Sequence, residues 1–215
     1  MRKLIILIIL SSFLQSCVTP RVETIWKAEY PLPYQHKKIL VVAIVTGNND
    51  SLQAEIEKAM VQQLVSYGYE AVSYSNGFSV YEMSRFTQEA AYFALCDKGI
   101  DAVLTLANVD PSLTISLKKG TRTRYPASFY YNHIWDYRNL KTGPIDNKSK
   151  PSVWECIMFD LPSLEQQSVL QVKSLSPLKK QNEAIWLSQN IIGKMVAEKI
   201  IRKQNITSPG TIKGF

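Results

Sequence analysis

The clearest hydrophobic pattern in this chain is a pair of nearly continuous apolar runs. They are KKILVVAIVT at residues 37–46 and DAVLTLANV at residues 101–109. Unbroken runs of Val, Ile, Leu and Ala, without regular alternation of polar residues, are typical of strands that are buried on both faces. We therefore predict two central strands with other structure packed above and below them.

Two amphipathic segments lie between these runs, and each predicts a helix. In the first, over about 51–67, the inward-facing positions are Leu52, Ile56, Ala59, Met60, Gln63 and Leu64. In the second, over about 85–98, they are Phe86, Ala90, Phe93 and Ala94. A short strand is predicted between the helices at 69–74.

The second half of the chain predicts a hairpin and a final helix. Residues 112–119 are predicted as a further strand, and 152–161 and 166–175 as an antiparallel pair joined by a loop at Pro162 and Ser163. The last helix begins at Asn182 or Glu183 and continues to about Lys203, with an apolar face formed by Ile185, Ile192, Val196 and Ile200.

The order of these elements predicts one α/β domain over 37–205. Its parallel β-α-β-α-β start, C-terminal antiparallel hairpin and terminal amphipathic helix predict a mixed α+β sheet in two or three layers. Residues 17–36 are predicted to be a tether or an edge segment, with Trp26 docked on the domain. Residues 206–215 are predicted to be a flexible tail.

The first residues of the chain carry a targeting pattern. Arg2 and Lys3 precede an apolar run that extends from residue 4 to residue 14, which is too short to span a bilayer as a helix. The run ends in LQSC, and this stretch resembles the lipobox of bacterial lipoproteins. The resemblance implies a signal peptide over 1–16 and acylation of Cys17, including a palmitate-type chain. The alternative is an ordinary secretory signal with an incidental cysteine.

The residue after the cysteine bears on location. It is Val18 and not Asp, which by resemblance to the enterobacterial sorting rule favours the outer membrane. No acidic cluster follows Cys17, so we expect a lipid-anchored protein of the cell envelope that faces the periplasm.

The positive charge of the chain is concentrated in one stretch. The whole chain has a net charge of +7, and without Arg2 and Lys3 it is +5. Residues 118–150 hold eight basic and two acidic residues, which gives +6, together with six aromatic residues. The candidate contact residues in this segment are Arg122, Arg124, Tyr130, Tyr131, Trp135 and Arg138.

Several partners fit a basic, aromatic segment. Export argues against nucleic acid, which such segments bind in the cytosol. A protein surface, an acidic glycan or an anionic membrane surface remains open. The segment is also consistent with a solvated insertion whose tyrosines cover the edge of the sheet.

Motifs of known enzymes and cofactor sites are absent from the sequence. There is no G-x-S-x-G elbow, phosphate loop or G-x-G-x-x-G. The two histidines, His36 and His133, have no metal-ligand spacing, so we expect neither a metal nor a cofactor. Asp97 and Asp101 are most simply turn residues. Cys96 and Cys156 lie in apolar stretches, which favours buried free thiols over a disulfide.

Three stretches resemble the N-terminal α/β domain of TolB, and more distantly the α/β domain of CsgG. They are ILVVAIV followed by YGYEAVSYS, then CDKGIDAVLTLANVD, and finally IMFDLPSLEQQSVLQVKSLS. One departure is that the tryptophan expected on the returning strand is replaced by Val169 and Leu170, whereas Trp154 is on the outgoing strand. The resemblance implies an adaptor or assembly module of the cell envelope without catalytic residues. The alternative is an enzyme that acts on cell-wall or lipid material.

Overall fold

In the computed structural model, residues 21–29, 35–45, 50–78, 87–109, 152–174 and 180–204 are described. Their strands are β1 (Arg21–Lys27), β2 (Lys38–Ile44), β3 (Glu70–Ser73), β4 (Ala102–Val109), β5 (Ser152–Asp160) and β6 (Glu165–Ser174). Their helices are α1 (Asp50–Ser66), α2 (Tyr74–Gly77), α3 (Gln88–Asp97) and α4 (Lys180–Ala197).

The strands form one mixed sheet in the order β1-β6-β5-β4-β2-β3. Strand β2 lies between β3 and β4 and is parallel to both, as the β-α-β-α-β order predicts. From β4 onwards the pairing is antiparallel, through β5 and β6 to the edge strand β1. The predicted fold class is therefore confirmed, including the C-terminal hairpin of β5 and β6.

One face of the sheet packs against α1 and α4. Alternate residues of the strands, such as Val41, Leu104 and Trp154, meet Met60 of α1 and Ile191 of α4 in a single buried cluster. Each large apolar side chain in such a cluster contributes about 2 kcal/mol through the area it removes from water. This face holds the larger part of the core.

The opposite face packs against α3, so the domain has three layers. Leu40, Val42 and Val103 point to this side and contact Ala91 and Leu95 of α3. Because β2 presents apolar residues to both faces, residues 39 to 44 are all buried. This confirms that the first apolar run is a strand covered on both sides.

The predicted inner faces of two helices are wrong at one residue each, Phe93 of α3 and Ile185 of α4. Phe93 is 61% exposed, and Ala91 and Leu95 are buried in its place. Likewise Ile185 of α4 is 47% exposed. The side chains of α4 that pack on the sheet instead include Leu187, Ile191 and Met195.

At the other predicted positions near the end of the chain, Ile192 is buried, and Val196 and Ile200 pack against the same cluster as Leu187. In α1, the predicted positions Ile56, Ala59, Met60 and Leu64 are buried.

Helix α4 ends earlier than its hydrophobic pattern predicts. The regular helix stops at Ala197, and Lys199 then adopts a left-handed conformation with φ 61°. The amide of Ile200 returns to the carbonyl of Met195 at 2.9 Å, which closes the last turn. The prediction to Lys203 failed because the position that usually carries glycine carries lysine.

Of the two interpretations of the N-terminal segment, the structure supports the edge segment over residues 21–27. Residues 17–36 were expected to be a tether or an edge segment, and Arg21–Lys27 forms the edge strand β1 of the sheet. Trp26 packs against the cluster on the α3 side. The tether interpretation therefore does not hold for this stretch.

Some predicted elements lie outside the described residues, namely the signal peptide over 1–16, the strand at 112–119 and the tail at 206–215. Within the described part of the chain, no helix combines the length and apolar character needed to cross a membrane.

Candidate functional site

The candidate residues in the basic segment lie outside the described residues. These are Arg122, Arg124, Tyr130, Tyr131, Trp135 and Arg138, and Cys17 is also outside. The structure does locate the two points at which residues 110–151 join the sheet. Val109 at the end of β4 pairs with Val153 near the start of β5. The segment therefore leaves and re-enters the domain at the same end of the sheet.

Close to these joining points, a row of polar residues crosses three strands. Glu23 of β1 pairs with Gln171 of β6, which in turn pairs with Glu155 of β5. Glu155 is only 4% exposed, and its Oε2 accepts a hydrogen bond from Nε2 of Gln171 at 3.2 Å. Glu23, at the sheet edge, is exposed.

The environment of Glu155 favours its protonated form. Burial raises the pKa of Glu155, and the hydrogen bond from Gln171 opposes this only in part. A carboxyl group that retains its proton at higher pH is suited to proton transfer or to donating a hydrogen bond. Sequence reasoning missed this residue, although a charged residue in the middle of the apolar strand SVWECIMFD is a recognisable signal.

A second buried acid, Glu57 of α1, has a structural role. It is fully buried, and its carboxylate accepts hydrogen bonds from the amides of Ala43 and Ser75 and from the side chain of Gln53. These contacts connect the end of β2 to the start of α2, where backbone amides lack partners within the helix. Glu57 therefore stabilises the carboxyl end of the parallel strands.

A buried pair lies at the opposite end of the sheet. Nε2 of His36 is 2.9 Å from Oδ1 of Asp160, and the other oxygen of Asp160 accepts the amide of Ser163 at 2.8 Å. The carbonyl of His36 accepts a hydrogen bond from Nε2 of Gln204. These contacts join the start of β2, the β5–β6 turn and the chain after α4. Because their partners are mostly backbone groups, we assign them a structural role.

The two aspartates singled out in the sequence do not form a catalytic pair. Asp101 accepts the amides of Lys37 at 2.7 Å and Lys38 at 3.1 Å, so it fixes the start of β2 beside β4. Asp97 is exposed at the end of α3. The interpretation of Asp101 as a turn residue is consistent with these contacts.

The cysteines are in different environments. Cys156 lies in the core on the side of α1 and α4, where burial raises the pKa of its thiol far above the usual range. Cys96 is on α3 and is exposed, so the expectation that both thiols are buried is wrong for Cys96. Neither is in a disulfide. Within the described ranges, His, Cys, Asp and Glu side chains do not gather in groups of three that would hold a metal ion.

No family model matches this chain, and no curated protein matches it. Several solved structures are similar to it, among them the following three. The PelC dodecamer from Paraburkholderia phytofirmans has a TM-score of 0.45 and 11% identity, covering 86% of this chain and 100% of that one. A variant of the same dodecamer has a TM-score of 0.44 and 11% identity, covering 80% and 96%.

The third structure is Lipoprotein GNA1162 from Neisseria meningitidis, with a TM-score of 0.39 and 12% identity, covering 75% of this chain and 99% of that one. None of these three is a TolB or CsgG structure, so that resemblance stays a prediction.

Proposed function

We propose that this chain is a non-enzymatic lipoprotein of the bacterial cell envelope, held at the periplasmic side of the outer membrane by an acylated Cys17. The lipobox-like stretch LQSC at residues 14–17 carries the proposal. One acyl chain binds a membrane only marginally, whereas several chains on one residue hold a soluble domain there almost permanently. The domain that follows is then confined to the membrane surface.

The proposal assigns the domain an adaptor or assembly role. Three buried or partly buried acids that would be candidates for catalysis, Glu57, Asp101 and Asp160, each accept backbone amides. Carboxylates used in this way stabilise strand ends and turns. This pattern supports a binding module more than a catalytic one.

The basic segment at 118–150 is the proposed contact with another envelope component. It carries +6, and the longer stretch 110–151 that contains it joins the sheet at the end where β1 begins. Arginine and aromatic residues are enriched where protein interfaces bind tightly, because they combine a large contact area with polar groups. An acidic protein surface or an acidic glycan is the partner that this chemistry fits.

Co-purification after cross-linking in the native host tests this contact. The test variant changes Arg122, Arg124 and Arg138 to Glu. The matched control changes three exposed basic residues elsewhere, Lys58, Arg202 and Lys203, to Glu. We expect the test variant to lose the partner and the control to retain it. Equal recovery of the partner in both variants would contradict the assigned contact.

The alternative, an enzyme acting on cell-wall or lipid material, has one observation in its favour, which is the buried Glu155 with its raised pKa. The variant Glu155→Gln separates the two functions. An adaptor with this substitution retains its partner and its cellular role. Loss of the cellular role, with folding and partner recovery intact, would favour the enzyme.

A further inference from the structure

The start of β1 limits the distance between the proposed anchor and the folded domain. Arg21 is the first residue of β1, and only three residues separate it from Cys17. Four Cα-to-Cα steps of 3.8 Å place the Cα of Arg21 within about 15 Å of the Cα of Cys17. An anchored Cys17 therefore holds the beginning of β1 next to the headgroups.

The direction of β1 then determines which end of the sheet is near the membrane. Lys27, the last residue of β1, is about 20 Å further along the strand at a rise of 3.3 Å per residue. Its Nζ is 3.0 Å from Oε2 of Glu198, which follows α4. This ion pair places Lys27, the end of α4 and, by the sheet register, the β5–β6 turn at the end remote from Cys17.

Two cations face each other at the near end. Arg21 of β1 is directly opposite Lys173 of β6, and both side chains are exposed. Like charges directly opposite on antiparallel strands destabilise the pair. No carboxylate among the described residues is within ion-pair distance of either one, and Glu23, the next acid on this strand, is opposite Gln171. The two exposed cations together therefore favour the binding of an anion.

We propose that this end of the sheet faces the bilayer, and that Arg21 and Lys173 bind the phosphates of anionic phospholipid headgroups. The inference rests on the lipid anchor of the proposed function, because Cys17 is what brings the two cations to the surface. Each basic residue near an anionic membrane strengthens binding about fivefold. The two together shift the ratio of docked to undocked domain about 25-fold.

The test uses the acylated full chain, purified from its host and placed in vesicles of phosphatidylethanolamine and phosphatidylglycerol. A Cys96→Ser background leaves one reactive site for a fluorophore, introduced as Glu23→Cys near Arg21 or as Ser163→Cys in the β5–β6 turn. A headgroup nitroxide lipid quenches labels that lie at the membrane surface. We expect strong quenching at position 23 and weak quenching at position 163.

The cations are tested in the same label background. Changing Arg21 and Lys173 to Gln is expected to lower the docked-to-undocked ratio, measured from quenching at position 23, about 25-fold. Changing Arg202 and Lys203 to Gln is the control and leaves it unchanged. In neutral phosphatidylcholine vesicles all three proteins are expected to give the same ratio.

The outcomes separate this inference from the proposed function. A mass spectrum with an unmodified Cys17 overturns the anchor and the orientation together. Acylated protein that is quenched equally at both positions, or more at position 163, overturns the orientation alone. Unchanged docking after Arg21 and Lys173 are replaced overturns the headgroup contact.

Discussion

Nε2 of His36 lies 2.9 Å from Oδ1 of Asp160, although 124 residues separate them in the sequence. Both side chains are buried, and the pair joins the start of β2 to the turn after β5. Removal of one member takes away a hydrogen bond that helps to compensate the other, buried member for its lost hydration.

Asp160→Ala should therefore lower the free energy of unfolding by about 1–3 kcal/mol. It removes a hydrogen-bond partner of His36 and also the acceptor for the amide of Ser163. Urea denaturation measures the change. Asp97→Ala, at an exposed aspartate, is the control and should change stability by less than about 0.5 kcal/mol. Similar stabilities for the two variants would show that the buried pair contributes little.

The packing of α3 predicts a contrast between two of its residues. Leu95→Ala creates a cavity between α3 and the sheet, and should cost about 2–5 kcal/mol. Phe93→Ala removes a larger side chain, but one that is 61% exposed, and should cost less than about 1 kcal/mol. Denaturant titration of both variants tests which face of α3 is inside. A larger loss for Phe93→Ala would contradict the packing.

Glu183, in the first turn of α4, should make stability depend on pH. Burial raises its pKa to about 7, from 4.5 in the unfolded chain. A carboxyl group whose pKa is higher in the folded state stabilises the protein below the unfolded pKa, and this advantage is lost as pH rises towards the folded pKa. Stability should therefore fall between about pH 4.5 and pH 7 through this group.

Glu183→Gln should remove this part of the pH dependence. Its stability at pH 8 should exceed that of the wild type by up to about 3 kcal/mol, with little difference at pH 4. The helix N-terminus favours the charged carboxylate and reduces the difference. Thermal unfolding at several pH values is the measurement. A constant difference between the two proteins from pH 4 to pH 8 would contradict the raised pKa.

The two cysteines should differ in reactivity. Cys96 is exposed, whereas burial in the core both shields Cys156 and raises its pKa. In a Cys17→Ala chain, a thiol reagent at pH 8 should modify Cys96 within minutes and Cys156 only after denaturation. Peptide mapping of the modified protein distinguishes the sites. Native-state labelling of Cys156 would show that β5 opens easily.

The order of elements was predictable because it depends on local patterns. The apolar run at 37–46, the helix spacing of Ile56, Met60 and Leu64, and the β5–β6 hairpin are each visible within about twenty residues of sequence. An apolar run without polar alternation is distinct from the pattern of a surface strand. The parallel pairing of β2 with β3 and with β4 follows from the helices that connect these strands.

The inward faces of α3 and α4 were less predictable. Each helix offers two neighbouring apolar stripes, and the larger side chain is not always the buried one. In α3 the small Ala91 faces the sheet while Phe93 faces outward. In α4, Ile185, Trp186 and Leu187 are consecutive, so the pattern alone does not select among them.

The long-range contacts were not predictable from sequence. The pair of His36 and Asp160, and the row formed by Glu23, Gln171 and Glu155, depend on strand register between distant segments. The edge strand β1 was one of two interpretations left open, because Pro20 and the prolines at 31 and 33 also suit a tether. The antiparallel pairing of residues 21–27 with β6 shows that this stretch is a strand.

The proposed function requires that Cys17 is the acylated first residue of the mature protein. Intact-mass analysis with membrane fractionation, on protein from the native host, tests it most directly. Wild type, Cys17→Ala and the control Cys96→Ser are compared. We predict that wild type and Cys96→Ser begin at a lipid-modified Cys17 and fractionate with the outer membrane, whereas Cys17→Ala lacks the lipid mass and leaves that fraction. A wild-type mass that corresponds to an unmodified chain would contradict the account.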